Sequence, residues 1–311
     1  MSKNKLYIIG NGFDLQHGIK SKYWDFKKYI EDEDSELIEK LEEYFGSDNL
    51  WSDFEETLAY LDTEQIIDEC LNYLEPYNAE PWSEAYHHDY QYEVQVRIDL
   101  ITETLKQRFT EWILQLNLPE IAKENMVVIK KNALFINFNY TDTLERLYRV
   151  SSKNILYIHN KAINKNSTLI LGHSRNPKKD NTHIKLNSDE NYDQRVIEGN
   201  EILNKYFFVT YKSTETIIKE NEIFFDSISK VDTIYVYGHS LSFVDKPYFE
   251  EIIRMIDKDK VTWNVSVHNH QDLVRFKEFF FSININPELI KYDRMNNFDN
   301  GQLNMFHECK L

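Results

Sequence analysis

The sequence predicts an α/β protein with a parallel β-sheet and a large helical insertion after its first strand. Two features of the chain lead to this prediction. Short apolar runs, which are typical of buried strands, alternate with segments of helical periodicity in the second half of the chain. Residues 20–125, which follow the first apolar run, have helical patterns almost throughout. We therefore expect residues 1–19 and 126–311 to form the core, and residues 20–125 to form the insertion.

The first half of the chain contains one predicted strand, Lys5–Ile9, which ends at a glycine-rich loop. A capping box, Ser52-Asp53-Phe54-Glu55, predicts a helix that follows Trp51 and ends near Leu61. The spacing of apolar residues predicts further helices over Tyr23–Glu31, Asp34–Phe45, Thr63–Leu74 and Ser83–Leu116.

The second half alternates between strands and helices, as a Rossmann-like sheet does. Predicted strands are Ala133–Asn139, Ile155–Ile158, Thr168–Leu171, Thr233–Tyr237 and Trp263–His268. Predicted helices are Asp142–Val150, Glu198–Lys230, Tyr248–Asp257 and Asp272–Phe281. Residues 174–195 are rich in Asn, Lys, Asp and Pro and are expected to form a loop.

Composition limits the classes of function. The net charge of −16 repels nucleic-acid backbones, so we expect no broad DNA or RNA binding. The two cysteines, Cys70 and Cys309, are too few for a zinc cluster, and we expect no metal. The N-terminal apolar run is too short for a signal peptide, and no run reaches the roughly 20 residues of a membrane helix. We therefore expect a cytoplasmic protein that does not bind membranes.

The loop after the first strand, GNGFDLQHGI from Gly10 to Ile19, holds three of the eight glycines of the chain. Glycine lets the backbone approach a phosphate closely, and the helix that follows offers N–H donors. Gly10, Asn11, Gly12, Phe13 and Asp14 are therefore candidate nucleotide-binding residues. The alternative is a tight strand-to-helix turn without a ligand, because Leu15 stands where a dinucleotide fingerprint has its third glycine.

Three other strands end in polar residues that also suit a ligand site. Asn139 follows one strand and suits a ribose hydroxyl, although it also suits a helix cap. His159 follows the next and is a candidate general base. Gly238, His239 and Ser240 follow a third and are candidates for a second ribose or a phosphate. Because the carboxyl ends of parallel strands meet at one edge of a sheet, we expect all these residues to lie together.

Four stretches form a specific combination: IIGNGFDLQHGI at the start, WSDFEE from Trp51, FNYTDTLE from Phe138 and YGHSLSFVDKPYF from Tyr237. This combination resembles the bacteriophage abortive-infection family AbiH over nearly the full chain. The resemblance implies an antiphage effector that is restrained until infection, either as a homo-oligomer or by a partner defence protein.

More distantly, the polar strand ends resemble those of the Sir2-like NAD-consuming fold. Gly10 and Gly18-Ile19 keep the spacing of its glycine motif. On this resemblance, Asn139 orients the nicotinamide ribose, His159 acts as the base, and Gly10, Gly12 and Ser240 hold the phosphates and the adenosine ribose. NAD would then be the substrate.

The chain also departs from the Sir2-like pattern. Asp14 replaces a serine, Asn160 replaces the glycine after the catalytic histidine, and the four zinc cysteines are missing. These departures argue against protein deacylation as the reaction of this chain.

Two hypotheses follow. The first is an NAD glycohydrolase that releases nicotinamide, with Asn139 and His159 as catalytic residues. The second is a sensor or interaction module of a phage-defence system that binds a nucleotide without cleaving it. In a variant of the second, Asp53, Glu55 and Glu56 bind a divalent ion, although carboxylates at a helix N-terminus need no ligand. The role of His173, which follows Gly172, is left open.

Overall fold

The structure of the chain is a computed structural model that describes residues 4–76, 88–118, 126–179 and 193–298. Within these ranges, six strands form one parallel sheet in the order β3-β2-β1-β4-β5-β6. They are β1 (Lys5–Ile9), β2 (Leu134–Asn137), β3 (Ile155–Tyr157), β4 (Thr233–Tyr237), β5 (Thr262–Ser266) and β6 (Ile290–Asp293). This is the strand order of doubly wound nucleotide-binding folds, so the predicted α/β class with a parallel, Rossmann-like sheet is confirmed.

Fourteen α-helices occur in the described ranges. They are α1 (Asn11–Gln16), α2 (Tyr23–Glu33), α3 (Ser35–Phe45), α4 (Ser47–Leu50), α5 (Phe54–Thr57), α6 (Thr63–Cys70), α7 (Asp89–Asp99), α8 (Leu105–Gln115), α9 (Thr143–Tyr148), α10 (Gln194–Val209), α11 (Thr214–Glu220), α12 (Glu222–Ser227), α13 (Lys246–Met255) and α14 (His270–Ser282). No helix among them is both long and apolar enough to cross a membrane.

The chain divides into two compact units. The sheet unit contains Met1–Lys22, Ile113–Leu169 and Thr214–Leu311. The helical unit contains Tyr23–Trp112 and Ile170–Ser213. The sequence-based boundaries after residues 19 and 125 stay a prediction, because compactness alone does not define a folding domain.

The core of the sheet unit depends on the parallel register. Leu6, Tyr7, Ile8 and Ile9 of β1 are fully buried, as expected for a central strand covered on both faces. Tyr7 pairs in register with Phe135 of β2 and Tyr235 of β4. The three rings therefore stack across neighbouring strands, with ring centroids 5.1 and 4.6 Å from that of Tyr7. Stacked aromatic residues of this kind stabilise a sheet beyond the area that they bury.

An aromatic cluster forms the core of the helical unit. Phe26 of α2 lies at the centre, with ring centroids of Phe54, Phe109 and Trp112 within 6.0 Å of its own. Trp51, which is 1% exposed, donates its indole N–H to Glu42 at 2.9 Å. The same carboxylate pairs with Lys27 at 2.7 Å. The indole N–H, the polar group of this buried ring, therefore has a hydrogen-bond acceptor at the edge of the cluster.

Several sequence-based element predictions need correction. Thr168–Leu171 is not a strand: Leu169 and Leu171 are buried, but the segment pairs with no strand in the described structure. Ser52 does not cap α5, since Asp53 occupies the N-cap position and the Ser52 hydroxyl donates to the Asn49 carbonyl and to Asp53. That helix ends at Thr57 rather than near Leu61.

Other differences concern the ends of predicted elements. β6 was not predicted, because Lys291 interrupts its short apolar pattern. The long helix over 83–116 is present as α7 and α8, which a π-helical turn at Leu100–Thr104 joins. Its predicted start at residues 83–87 and most of the predicted loop, residues 180–192, lie outside the described residues.

Candidate active site

The polar residues predicted to meet do lie at one edge of the sheet. Asn139, His159 and Gly238 follow β2, β3 and β4, and Gly10 follows β1. These four strands are neighbours in the order β3-β2-β1-β4, and all are parallel. Their carboxyl ends therefore form one continuous rim, where the ligands of doubly wound folds bind.

The glycines of the first loop allow it to touch the loop after β4. A Cβ on Gly10 would lie 2.6 Å from the His239 Cα, and one on Gly12 would lie 2.7 Å from the Gly238 Cα. Gly238 itself has a φ of +65°, and a Cβ there would lie 2.1 Å from the Phe13 nitrogen. Backbone-to-backbone contact is thus sufficient to require glycine at all three positions.

The amides of these loops already have protein acceptors. Gly10 N–H donates to the Tyr237 carbonyl at 3.0 Å, and Gly12 N–H donates to the Gly238 carbonyl at 2.8 Å. Phe13 N–H donates to the Gly10 carbonyl at 2.9 Å. The Gly238 N–H donates to the Ser266 hydroxyl at 2.9 Å. The usual crevice between the first and fourth strands is therefore bridged by hydrogen bonds, and the predicted phosphate contacts of Gly10, Gly12 and Gly238 stay a prediction.

His239 is held as a neutral histidine. Its Nδ1 accepts the Leu241 N–H at 2.9 Å, so the ring proton is on Nε2, which faces Asp245 Oδ2 at 3.5 Å. Burial, and secondly the neighbouring His159, lower the pKa of His239 to about 3. The ring packs against Phe138 with centroids 4.4 Å apart. Ser240 is exposed beside it, and the ligand contacts predicted for both residues stay a prediction.

Asn139 joins the β2 end to the glycine loop. Its Nδ2 donates to the Gly10 carbonyl at 3.2 Å, and its backbone N–H donates to the Asn137 side chain at 3.1 Å. The residue is 6% exposed. Asn139 does not cap α9, whose N-cap residue is Asp142, so the alternative role as a helix cap is excluded.

His159 lies on the same rim, beyond β3. Its Nδ1 is 3.3 Å from the Phe138 carbonyl, and because a carbonyl only accepts, Nδ1 carries the proton and Nε2 is the basic nitrogen. The ring stacks on Tyr140 with centroids 5.5 Å apart. Asn160 has a φ of +62°, the left-handed conformation that glycine favours and that asparagine tolerates best among other residues. The replacement of glycine by Asn160 therefore keeps the backbone turn after the histidine.

Asp14 is a buried carboxyl group at the centre of the rim. It is 1% exposed, and its Oδ2 accepts the Thr141 hydroxyl at 2.6 Å. Thr143 in turn donates to the Thr141 hydroxyl at 3.1 Å. Burial raises the pKa of Asp14 from 3.8 to about 6, which outweighs the lowering by the neighbouring Thr141, Thr143 and Asn139 side chains. A carboxyl group with a pKa this close to neutrality is a candidate acid or base.

The raised pKa of Asp14 predicts a cost in stability at neutral pH. Between pH 3.8 and about 6 the folded protein holds this proton more tightly than the unfolded chain does, so stability falls as the pH rises through this range. Asp14→Asn removes the charge, and we expect it to raise the free energy of unfolding at pH 7.5 by up to about 3 kcal/mol. Urea denaturation from pH 4 to pH 8 measures this.

The matched control for that experiment is Asp259→Asn, which changes an exposed carboxylate in the same unit. We expect its denaturation profile to follow that of the wild type. The prediction would be contradicted by an Asp14→Asn variant that is less stable than the wild type at pH 7.5 and whose free energy of unfolding changes with pH as that of the wild type does. Burial would then not raise the pKa of Asp14.

A cavity of about 150 Å³ lies beside the Asp14 cluster, beyond the ends of β2 and β3. Its polar lining consists of Thr141, Asp142, Thr143, Arg146 and Lys161. Its apolar lining consists of Ile19, Ile113, Leu114, Leu116, Leu118, Ala162 and Ile163. The volume is below the roughly 300 Å³ at which pockets for whole drug-sized ligands begin, so the cavity fits only part of a nucleotide.

The remaining predicted residues have structural contacts. Phe13 is fully buried in the core. Asn11 accepts the Ser21 hydroxyl at its Oδ1, at 2.5 Å, and donates its Nδ2 to the Ser21 carbonyl at 2.9 Å. His173 is buried in the helical unit, with its backbone paired to Tyr211. Glu55 accepts the Tyr23 hydroxyl at 2.8 Å and forms an ion pair with Lys212. Across the described ranges, no group of three or more His, Cys, Asp or Glu side chains is placed to hold a metal.

Sequence reasoning missed the hydroxyls of Thr141 and Thr143 as site residues. A signal for them is present in NYTDT, because two threonines two residues apart follow a strand end. Their partner, Asp14, lies in α1, 127 residues before Thr141. No local pattern in the sequence reveals that contact.

The fold and the rim define a class: an α/β protein with a doubly wound parallel sheet and a candidate ligand site at its carboxyl edge. Comparison with protein families places the chain within that class. The family model "Bacteriophage abortive infection AbiH" matches residues 6–267, and the chain belongs to this family. Searches of curated proteins and of solved structures found no match. The more distant resemblance to the Sir2-like fold stays a prediction.

Proposed function

We propose that the protein is an antiphage effector that cleaves the N-glycosidic bond of NAD at the carboxyl edge of its sheet. The observation that carries this proposal is the meeting of Asn139, His159 and Asp14 at one rim, from three separate strand ends. Membership of the abortive-infection family supports the biological role. Loss of NAD would stop an infected cell before phage release.

The chemistry asks little of the protein beyond positioning. Water adds to the anomeric carbon of the nicotinamide ribose, the electron pair of the C–N bond moves to the cationic nicotinamide ring, and the proton of the water is released. His159 takes that proton through Nε2, since its Nδ1 proton is directed to the Phe138 carbonyl. Asn139 presents an amide to the ribose hydroxyls. No metal is required for this step.

The test of this proposal is the release of nicotinamide. Purified protein is incubated with NAD, alone and with an extract of phage-infected cells, and products are separated by liquid chromatography. We expect equal amounts of nicotinamide and ADP-ribose to accumulate. Absence of both products under both conditions would contradict the proposal.

A second candidate function is nucleotide binding without cleavage. The observation that favours it is that the N–H groups of Gly10, Gly12 and Gly238 donate to acceptors within the protein. The glycine loops are therefore explained by the packing of the fold, without a phosphate ligand. On this reading the protein senses a nucleotide and passes the signal to a partner. Saturable binding of ADP-ribose without release of nicotinamide from NAD would establish this candidate over the first.

A further inference from the structure

The cavity beside Asp14 is lined by two threonines whose hydroxyls are linked to the buried carboxyl group. Thr141 and Thr143 both line it, and both belong to a chain of hydroxyls that ends at a buried carboxyl group. The cavity follows β2 and β3, whereas the loops after β1 and β4 are bridged to each other by the Gly12–Gly238 hydrogen bond. Space for a ligand at this rim is therefore found on the β2 and β3 side.

The direction of the hydroxyl chain defines what it can bind. An ionised carboxylate only accepts hydrogen bonds, so Thr141 donates to Asp14. Thr143 donates to Thr141, and each hydroxyl has a single proton to give. The Thr143 oxygen keeps its lone pairs as acceptors on the cavity lining. A ligand group that donates, such as a sugar hydroxyl, is matched here, and a carbonyl is not.

The lining offers two cations to a ligand that also carries an anion. They are Arg146 and Lys161, and each is paired with a carboxylate, Asp142 and Glu145 respectively. Arg146 forms an ion pair with Asp142 at 3.6 Å. Because the Arg146 side chain is 52% exposed, this surface ion pair is weak. Lys161 pairs with Glu145 at 2.5 Å, and Tyr157 donates to the same carboxylate oxygen at 2.9 Å. Glu145 therefore keeps a partner if Lys161 turns to a ligand.

We propose that this cavity binds the ribose-phosphate part of a nucleotide, with Thr143 accepting a ribose hydroxyl and Arg146 and Lys161 facing the phosphate. The proposal rests on the proposed function in that it names the part of the site which holds the substrate. Asp14 acts through Thr141 as a positioning residue, because it fixes the direction in which both hydroxyls point. The cavity volume of about 150 Å³ suits one such unit and not a whole dinucleotide.

The experiment measures binding of ribose 5-phosphate by calorimetry, with ribose and inorganic phosphate as separate probes. Thr143→Val keeps the shape of the side chain and removes the acceptor. We expect it to weaken binding of ribose 5-phosphate about tenfold, as loss of one hydrogen bond in a dry site does. Arg146→Gln combined with Lys161→Gln is expected to weaken ribose 5-phosphate binding by about tenfold or more and to leave ribose binding unchanged.

The matched control is Thr262→Val, which removes a hydroxyl at the amino end of β5, where Thr262 faces the Asp232 carbonyl at 3.5 Å. We expect wild-type affinity from this variant. Inorganic phosphate that binds as tightly as ribose 5-phosphate, or an unchanged affinity in Thr143→Val, would overturn the inference.

The two proposals fail in different ways. Release of nicotinamide from NAD with an unchanged affinity for ribose 5-phosphate in Thr143→Val overturns the cavity assignment and leaves the enzymatic proposal intact. Affinity that depends on Thr143 in a protein that releases no nicotinamide supports the cavity assignment and overturns the enzymatic proposal. Ribose 5-phosphate contains no glycosidic bond to nicotinamide, so its binding does not depend on catalysis.

Discussion

Replacing His159 with alanine is expected to lower the rate of nicotinamide release by about 10²–10⁴-fold, the usual contribution of a general base. The physical reason is the position of the ring: it lies on the polar rim, it is 5% exposed, and the Phe138 carbonyl directs the proton to Nδ1. Removing the imidazole leaves water at the ribose without a proton acceptor. Steady-state assays with NAD, followed by chromatography of nicotinamide, measure the effect.

Three further variants separate catalysis from folding. His159→Gln keeps much of the buried volume, and we expect it to be as inactive as the alanine variant. Asn139→Ala is expected to raise KM as well as lower kcat, because Asn139 contacts the glycine loop and is the residue proposed to bind the ribose. His268→Ala changes an exposed histidine of the same unit and should keep full activity. Full activity in both His159 variants, with wild-type stability, would rule out the role of His159.

The largest effect on stability is expected from Gly238→Ala. A Cβ at this position would lie 2.1 Å from the Phe13 nitrogen and 2.4 Å from the Gly12 carbonyl carbon, and both are backbone atoms that cannot rotate away. The φ of +65° adds strain for any residue with a side chain. We expect the free energy of unfolding to fall by about 4 kcal/mol or more, the range of severe backbone clashes. Urea denaturation followed by circular dichroism measures it.

The control for the backbone clash is Gly46→Ala. Gly46 has a φ of +73°, and nothing lies within 4 Å of a Cβ built there. This variant therefore carries only the strain of an unusual backbone conformation, with a φ of +73° and a ψ of 139°, at about 1–3 kcal/mol. Equal losses in the two variants would mean that the loops after β1 and β4 are not in backbone contact.

The parallel sheet was predictable because its strands other than β6 each carry a local signal. Lys5–Ile9, Ile155–Tyr157 and Thr233–Tyr237 are apolar runs that end at polar or glycine residues, and buried parallel strands need little else. The meeting of Asn139, His159 and Gly238 at one rim then follows from the parallel direction alone. This part of the site follows from the topology of the sheet, which the alternation of strands and helices along the chain predicts.

The chemistry within the rim was less predictable, because it depends on contacts between distant loops. The first-loop glycines suggested close approach to a phosphate, whereas the structure shows close approach to Gly238 and His239. Both explanations require glycine, so the sequence does not choose between them. Asp14 stood as a departure from the expected pattern, and only its contact with Thr141 gives it a place at the site.

The decisive experiment is a crystal structure of the protein soaked with ADP-ribose. We expect density on the rim, with a ribose beside Asn139 and His159 and a ribose-phosphate unit in the cavity next to Thr143. Occupied density elsewhere on the molecule, with the rim and the cavity unchanged at saturating ADP-ribose, would contradict this expectation.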